Sequence, residues 1–371
     1  MSDIDLAPWS ASSPTALLAL HLACEIGGRR VLRLLELFGS AEAALEAQEP
    51  RLREVLTGTV PARIAAGGWT EAAGKEQARV AELGGRLLHF GHPGYPRYLQ
   101  HLPDPPPVLY ALGALEAADE RAVAVVGARA ASSYGRSVAR ALARDLARAH
   151  VTVISGLARG IDAAAHRSAL EAGGRSLAVL GSGLDRPYPP EHAALIQQLA
   201  ASAGVVTEFP LGTPPVATNF PVRNRIIAGL ALATVVVEAA PKSGALITAR
   251  LANDYGRSVF AVPGSVGSLL SAGPHELIRQ GALLVQSAAD VLAALGWSLP
   301  PESVLETGNS LPAAPSVEIL NALEPRGESI SVDELCQRLR RTPQELLPQL
   351  IALEACGAIQ SAPGMRFLLP I

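Results

Sequence analysis

The sequence predicts an α/β protein: an extended Rossmann-like, doubly wound, mainly parallel sheet, with a helical module before it and a winged helix after it. Three observations predict this. Between residues 122 and 285, short Val-rich runs alternate with amphipathic stretches, and strands that read as continuous apolar runs between helices are covered on both faces. Polar, Gly-rich loops follow successive strands. Finally, Leu299 to Pro315 holds four prolines and separates the α/β region from a tail patterned as three short helices and a hairpin.

The elements follow in order. Met1 to Ser13 reads as a loose polar tail. Residues 14–85 read as a helical module: Leu17 to Ala23 lead into Glu25-Ile26-Gly27-Gly28, Arg29 to Phe38 repeat apolar residues at helical spacing, and Ser40 caps Ala41 to Ala47. Two helices joined by Ile-Gly-Gly resemble the helix-hairpin-helix or SAM-like modules of DNA-handling proteins. A small bundle that only packs on its neighbour is the favoured reading. Residues 86–297 form the α/β domain. His92 to Pro96 and Asp104 to Tyr110 are Pro-rich and extended, the second leading into a strand at Val108 to Leu112. Strands are expected at 123–126, 151–154, 177–180, 205–206, 234–237, 259–262 and 283–285, and helices at 136–148, 163–172, 191–203, 223–230, 246–255 and 276–280. Residues 298–315 are a linker. Residues 316–371 read as a winged helix, with helices at 317–323, 332–339 and 343–353 and a wing around Ala362-Pro363-Gly364.

Composition excludes several classes. The chain has 371 residues, 49% of them hydrophobic, yet no apolar run reaches the ~20 residues that span a bilayer. The first residues carry acids and no basic patch, unlike a secretory signal. Cys24, Cys336 and Cys356 fit no metal or disulfide spacing, so neither metal nor cofactor is expected and a cytoplasmic setting is. Lys plus Arg against Asp plus Glu is 8 to 9 over residues 14–85, 18 to 14 over 86–297 and 5 to 7 over 316–371. Binding to a polyanion must therefore come from placed residues of the middle domain. The acidic winged helix favours a protein-contact or regulatory role over duplex readout.

Five loops carry the chemistry. They are Gly127 to Gly135, with Arg129, Ser132, Ser133 and Tyr134; Ser155 to Asp162, with Gly156, Arg159 and Gly160; Gly181 to Pro189, with Gly183 and Arg186; Phe220 to Arg225, with Arg223 and Asn224; and Glu238 to Thr248, with Lys242, Ser243 and Gly244. Lys242-Ser243-Gly244 lacks the upstream glycine of a Walker A loop, and Gly181-Ser182-Gly183 lacks the third dinucleotide glycine, so ATP and NAD are not supported. The set puts Arg129, Arg159, Arg186, Arg223, Arg225 and Lys242 near one rim of one sheet, which suits phosphates and splayed bases.

At these residues the sequence resembles the DprA (Smf) family. The matching runs are Gly127-x-Arg129-x-x-Ser132-x-Tyr134-Gly135, Ser155-Gly156-x-Ala158-x-Gly160-Ile161-Asp162 with His166, Gly181-x-Gly183 with Tyr188-Pro189, Phe220-Pro221-x-Arg223-Asn224-Arg225, Ser243-Gly244-x-Leu246-Ile247-Thr248-Ala249 and Val259 to Gly264. The resemblance implies a non-enzymatic homodimer that binds and protects incoming single-stranded DNA in natural transformation and loads the RecA recombinase onto it, with single-strand binding protein as a further partner. It makes Arg129 the chief contact, beside Ser132, Gly156, Arg159 and the 220–225 loop. It also implies self-association through His275, Ile278, Arg279 and Leu284. Some relatives carry a lysine soon after the Tyr-Pro pair and another just before the Phe-Pro pair. Here those places hold Pro190 and Ala217, with Arg186 and Arg223 as substitutes.

Plainer readings stand beside these. His166 reads as a polar contact holding two helices. Arg136, Arg140, Arg144 and Arg148 read as a solvated helix face. Arg225 or Asn224 pairs with Glu208 or Glu238, or meets DNA. Tyr188 and Phe220 stack bases or close the core. The alternative function is a nucleotide phosphoribohydrolase of the lysine-decarboxylase-like Rossmann group, whose Pro-Gly-Gly loop resembles Pro263 to Ser268, though no glutamate follows it here.

Overall fold

A computed structural model describes residues 7–25, 27–297, 314–323, 329–355, 358–362 and 364–369. The linker expected at 298–315 falls almost wholly outside them, as do Ile26 and Cys356. The chain forms two compact units, Met1–Leu299 and Pro300–Ile371.

The first unit is built on nine strands: β1 (Arg86–His89), β2 (Val108–Leu112), β3 (Ala122–Val126), β4 (Thr152–Ser155), β5 (Ser176–Val179), β6 (Gly204–Thr207), β7 (Ala233–Val236), β8 (Ser258–Ala261) and β9 (Leu283–Leu284). Their spatial order is β1-β2-β6-β5-β4-β3-β7-β8-β9. β2 runs antiparallel to both β1 and β6, and every other pairing is parallel. β3 to β7 are fully buried along their length, as the apolar runs require. β1 is the strand of this sheet that sequence reading missed. Its Arg-Leu-Leu-His run is short and has one buried side chain, so no period stands out.

Three cores cover the sheet. On one face Leu142, Leu146, Val153, Val235 and Val291 pack together. Farther along the same face the helices Pro14–Ala23 and Trp69–Glu82 lie against the antiparallel end, where Leu18, Ala19, Ala73 and Val80 meet Val108 and Tyr110. On the other face Ala124, Ile154, Val179 and Val206 pack with Ile226 and Ile227. Ser13 caps the first of these helices and Ser40 caps Ala41–Glu46, each accepting a backbone N–H. The expected loose tail is anchored from Ala7 onward. Trp9 is buried with its ring centroid 4.1 Å from that of Phe90, an apolar surface too large to leave in water.

The second unit has helices Ala314–Ala322, Val332–Leu339 and Pro343–Ala355, with an antiparallel wing of Gln360–Ala362 and Arg366–Leu368 and a short strand Ile330–Ser331 against it. Ile319, Leu335, Leu346, Leu350 and Phe367 form its core. Among the described residues no helix is long and apolar enough to cross a membrane, and no group of His, Cys, Asp and Glu could hold a metal ion.

Candidate nucleic-acid interface

β3 lies between β4 and β7, so chain connections leave it in opposite directions. The crevice outside the carboxyl ends of strands at such a switch point is where open α/β sheets bind ligands. A cavity of about 520 Å³ sits there, lined by Gly127 and Arg129 after β3, Asp162 after β4, Phe220 and Asn224, and Lys242 to Ala245 with Ile247 and Thr248 after β7.

Three helices start at its edge. The helix Ser133–Arg148 is capped by Ser132, whose Oγ accepts the Gly135 N–H at 3.0 Å. Its start is earlier than the expected residue 136, because the cap closes a full turn. Ser132 is also gripped by Glu238, which accepts its N–H at 2.9 Å and its hydroxyl at 2.5 Å. Glu238 comes from the end of β7 and lies against Gly135, where an added Cβ would stand 2.2 Å from the carboxylate. Sequence reading did not assign Glu238 this role, which only the β3–β7 pairing reveals. Ser243 caps the helix Gly244–Asp254, and Gly160, at φ +78°, opens the helix Ile161–Glu171.

The exposed cations are Arg129, Arg159, Arg186 and Lys242, each on a loop after a parallel strand. The Arg129 guanidinium carbon sits 4.9 Å from the Phe220 ring centroid, and that of Arg159 sits 5.8 Å from Tyr188. The two rings lie 5.9 Å apart. The result is a half-buried pair of rings flanked by two guanidinium groups, in the order Arg129, Phe220, Tyr188, Arg159 along the rim. Arg159 also pairs with Glu191 at 2.5 Å, on the surface. The Arg186 and Lys242 side chains have no ion-pair or hydrogen-bond partner among the described residues.

The other expected contacts face inward. Arg223 is buried. Its guanidinium donates to the carbonyls of Gly156, at 2.9 Å, and of Val179. Burial lowers its pKa to about 10, which still leaves it charged at neutral pH. Asp162 accepts the N–H groups of Gly156 and Ala158 at 3.1 and 3.3 Å, and burial pushes its carboxyl up while Arg223 opposes that shift. Arg223 therefore braces the second loop and cannot replace the absent lysines. Arg225 is buried too, bonded to Glu208 at 2.5 Å and 3.4 Å from Asp104. This is the pairing weighed from sequence. Asn224 donates to the Gly244 carbonyl at 3.2 Å. Ser155 is buried and donates to the Val125 carbonyl at 2.6 Å. Gly156, Gly181 and Gly183 are buried against Arg223, Phe220 and the Pro210 carbonyl. Ser133 and Tyr134 are exposed, Tyr134 donating to the Pro263 carbonyl at 2.7 Å. Pro190 and Ala217 are both exposed, and Ala217 lines the cavity. His166 ties its helix to β5 rather than to another helix, through Ser176 Oγ at 2.8 Å. The loop 263–268 does not line the cavity.

His275, Ile278 and Arg279 lie on the helix Ala272–Arg279, and Leu284 on edge strand β9. Leu283 and Leu284 are each about half exposed. His275 contacts the Gly264 carbonyl at 3.1 Å and Arg279 pairs with Glu276 at 2.5 Å.

This arrangement coincides with a known family. The model for "DNA recombination-mediator protein A" matches residues 86–296, and that for the "DprA winged helix domain" matches residues 308–365. The chain belongs to the DprA/Smf family. It is 43% identical to Protein Smf of Escherichia coli K12 over 278 residues, covering 73% of this chain and 74% of that protein. It is 44% identical to DNA processing protein DprA of Streptococcus pneumoniae over 199 residues, 54% of this chain and 70% of that one. The solved S. pneumoniae DprA superposes with a TM-score of 0.67 at 33% identity, covering 76% of this chain and 98% of that chain. DNA processing protein A of Helicobacter pylori, known for a single-stranded DNA binding mode, superposes at 0.51 with 27% identity, covering 57% and 95%.

Proposed function

We propose that the chain binds single-stranded DNA at the carboxyl ends of its parallel strands, protects it, and serves as a RecA loader in natural transformation, as a homodimer and without catalysing a reaction. The observation that carries this is Arg129 stacked on Phe220 beside the unpartnered Lys242 at the switch-point cavity. Cations with aromatic planes between them hold phosphates and stack bases without reading sequence. Family membership supports the transformation role and the recombinase partner. The non-enzymatic reading rests on the loops, which lack a Walker lysine, a dinucleotide fingerprint and a glutamate after 263–268. A single strand fits the cavity better than a duplex. The cations sit on loops around a concavity, not along a groove-sized helix face.

The deciding experiment is a mobility shift on oligo-dT against duplex of equal length. Preference for the single strand is expected, and equal or stronger duplex binding would defeat the proposal. Adding RecA and single-strand binding protein and scoring filament formation tests the loading step separately.

A further inference from the structure

We propose that the bound strand continues past the switch-point cavity, across Arg129, into a second groove between the helices Ser133–Arg148 and Ile161–Glu171, where arginines grip about two further phosphates. This rests on the single-strand reading above and extends its footprint.

The groove has a volume of about 400 Å³ and shares Arg129 with the first cavity, so the two adjoin at that residue. Its charged lining is Arg129, Arg136, Arg140, Arg159 and Arg167 against a single acid, Glu171. Five guanidinium groups around one concavity repel unless an anion lies among them. Arg140 and Arg167 are exposed, and neither guanidinium has an ion-pair or hydrogen-bond partner among the described residues. Arg136 is half-buried and anchored, donating to the Ala131 carbonyl at 2.5 Å and to Ser133 Oγ at 3.4 Å, and its other N–H groups are left for a phosphate. Arg159 is committed to Glu191 only through a surface pair, about half exposed on each side, and such pairs exchange for phosphate at little cost.

The helices are held close where the groove needs them. Ser168 Oγ donates to the Arg140 carbonyl at 2.9 Å, which pins Arg140 beside the Arg167–Ser168 turn. Arg136 and Arg140 are one helical turn apart, about 5–6 Å between Cβ atoms. The four-spaced stripe divides here. Arg136 and Arg140 join the groove, whereas Arg144 pairs with Asp145 at 2.8 Å outside it. The apolar lining consists of alanines alone: Ala130, Ala131, Ala163 and Ala164. A folded protein partner would lack the large buried anchor that interfaces rely on. A phosphodiester backbone needs only the cations, and it already arrives at Arg129.

The test compares oligo-dT of about 6 and about 20 nucleotides, short enough to fill one site or long enough to leave it. Affinity is read by fluorescence anisotropy across a salt series. The variants are the pair Arg140→Gln with Arg167→Gln, and Glu171→Gln. In the paired variant the short oligonucleotide should bind within about two-fold of wild type, while the long one weakens about ten-fold. Its slope of log K against log salt should fall by about 1.4, since each phosphate contact on a single strand contributes about 0.7. Glu171→Gln should strengthen long-oligonucleotide binding about two-fold, with the short one unchanged. An unchanged long-oligonucleotide affinity and salt slope in the paired variant would overturn the extension, as would equal weakening at both lengths. Wild-type protein without affinity for either length would instead sink the single-strand reading itself.

Discussion

The Arg129 guanidinium lies 4.9 Å from the Phe220 ring centroid, across a cavity whose two sides come from β3 and from the helix Asn219–Leu230. That contact preorganises a flat cationic surface at the rim, so a base or phosphate meets a fixed guanidinium and not a swinging one. Arg129→Ala should weaken oligo-dT binding by about 1–3 kcal/mol, and Phe220→Ala by a similar amount. The double variant should lose less than the sum, with a coupling of about 0.5 kcal/mol or more. Arg129→Lys should not restore affinity, because an ammonium offers no plane to stack. Unchanged binding by Arg129→Ala in a fluorescence titration would remove the residue from the site.

The sheet was legible in the sequence because β3 to β7 are apolar runs between helices, and burial on both faces leaves no other pattern. The exposed cations of the loops were legible for a related reason. Arg129, Arg186 and Lys242 sit in polar, Gly- and Pro-bearing loops that follow the strands. The inward role of Arg223 was not, since its partners are far away in sequence, whereas the pairing of Arg225 with Glu208 was one of the two readings the sequence offered. Gly156 follows β4, Val179 ends β5, and Glu208 follows β6. The groove of Arg140 and Arg167 was hidden for the same reason, its two walls being separate helices.

Gly135 carries a packing constraint that its position in a loop motif does not reveal. An added Cβ would come 2.2 Å from the Glu238 carboxylate, which is already bonded to Ser132. Gly135→Ala should therefore destabilise the chain by about 1–3 kcal/mol by thermal or urea unfolding. Gly135→Ala with Glu238→Ala should recover part of that loss, though without the grip on Ser132. Equal stability of Gly135→Ala and wild type would mean that Glu238 moves freely.

Arg225 should behave as a structural residue. Glu208 is fully buried, and burial pushes its carboxyl up to about 6 against the pull of Arg225. Removing the cation in Arg225→Met strands an acid in the core and should cost about 3–5 kcal/mol of stability. Arg225→Met with Glu208→Leu should recover most of it, since a buried pair replaced by apolar groups is often neutral. Oligo-dT affinity of the folded double variant should stay near wild type. A selective loss of DNA binding at full stability would return Arg225 to the interface.

The exposed edge at β9 gives a prediction for self-association. Leu283 and Leu284 stand about half exposed on the last strand of the sheet, beside the helix that holds Ile278. An uncovered apolar edge strand pairs readily with another chain. Wild-type protein should sediment as a dimer at micromolar concentration, and Leu284→Arg as a monomer with unchanged thermal stability. A monomer in both cases would show that this edge is solvent-facing in solution.

Two buried histidines set the acid limit. Burial lowers His21 to about 4 and His166 to about 3, with the charges of His192, Arg223 and Arg167 adding to the effect on His166. Both imidazoles stay neutral in the folded chain at pH values where the unfolded chain protonates them near 6.5. The unfolded state therefore binds more protons below that pH, and stability falls as pH drops. Between pH 6.5 and 5 each histidine should remove about 2 kcal/mol of unfolding free energy. The slope fades as pH rises through 6.5, as the unfolded imidazoles lose their protons. His166→Gln, which keeps a polar group near Ser176, should be less stable at pH 7.5 yet lose less on acidification than wild type. Urea unfolding at pH 7.5, 6.5 and 5 measures both quantities, and an undiminished slope in the variant would show that His166 titrates freely in the folded chain.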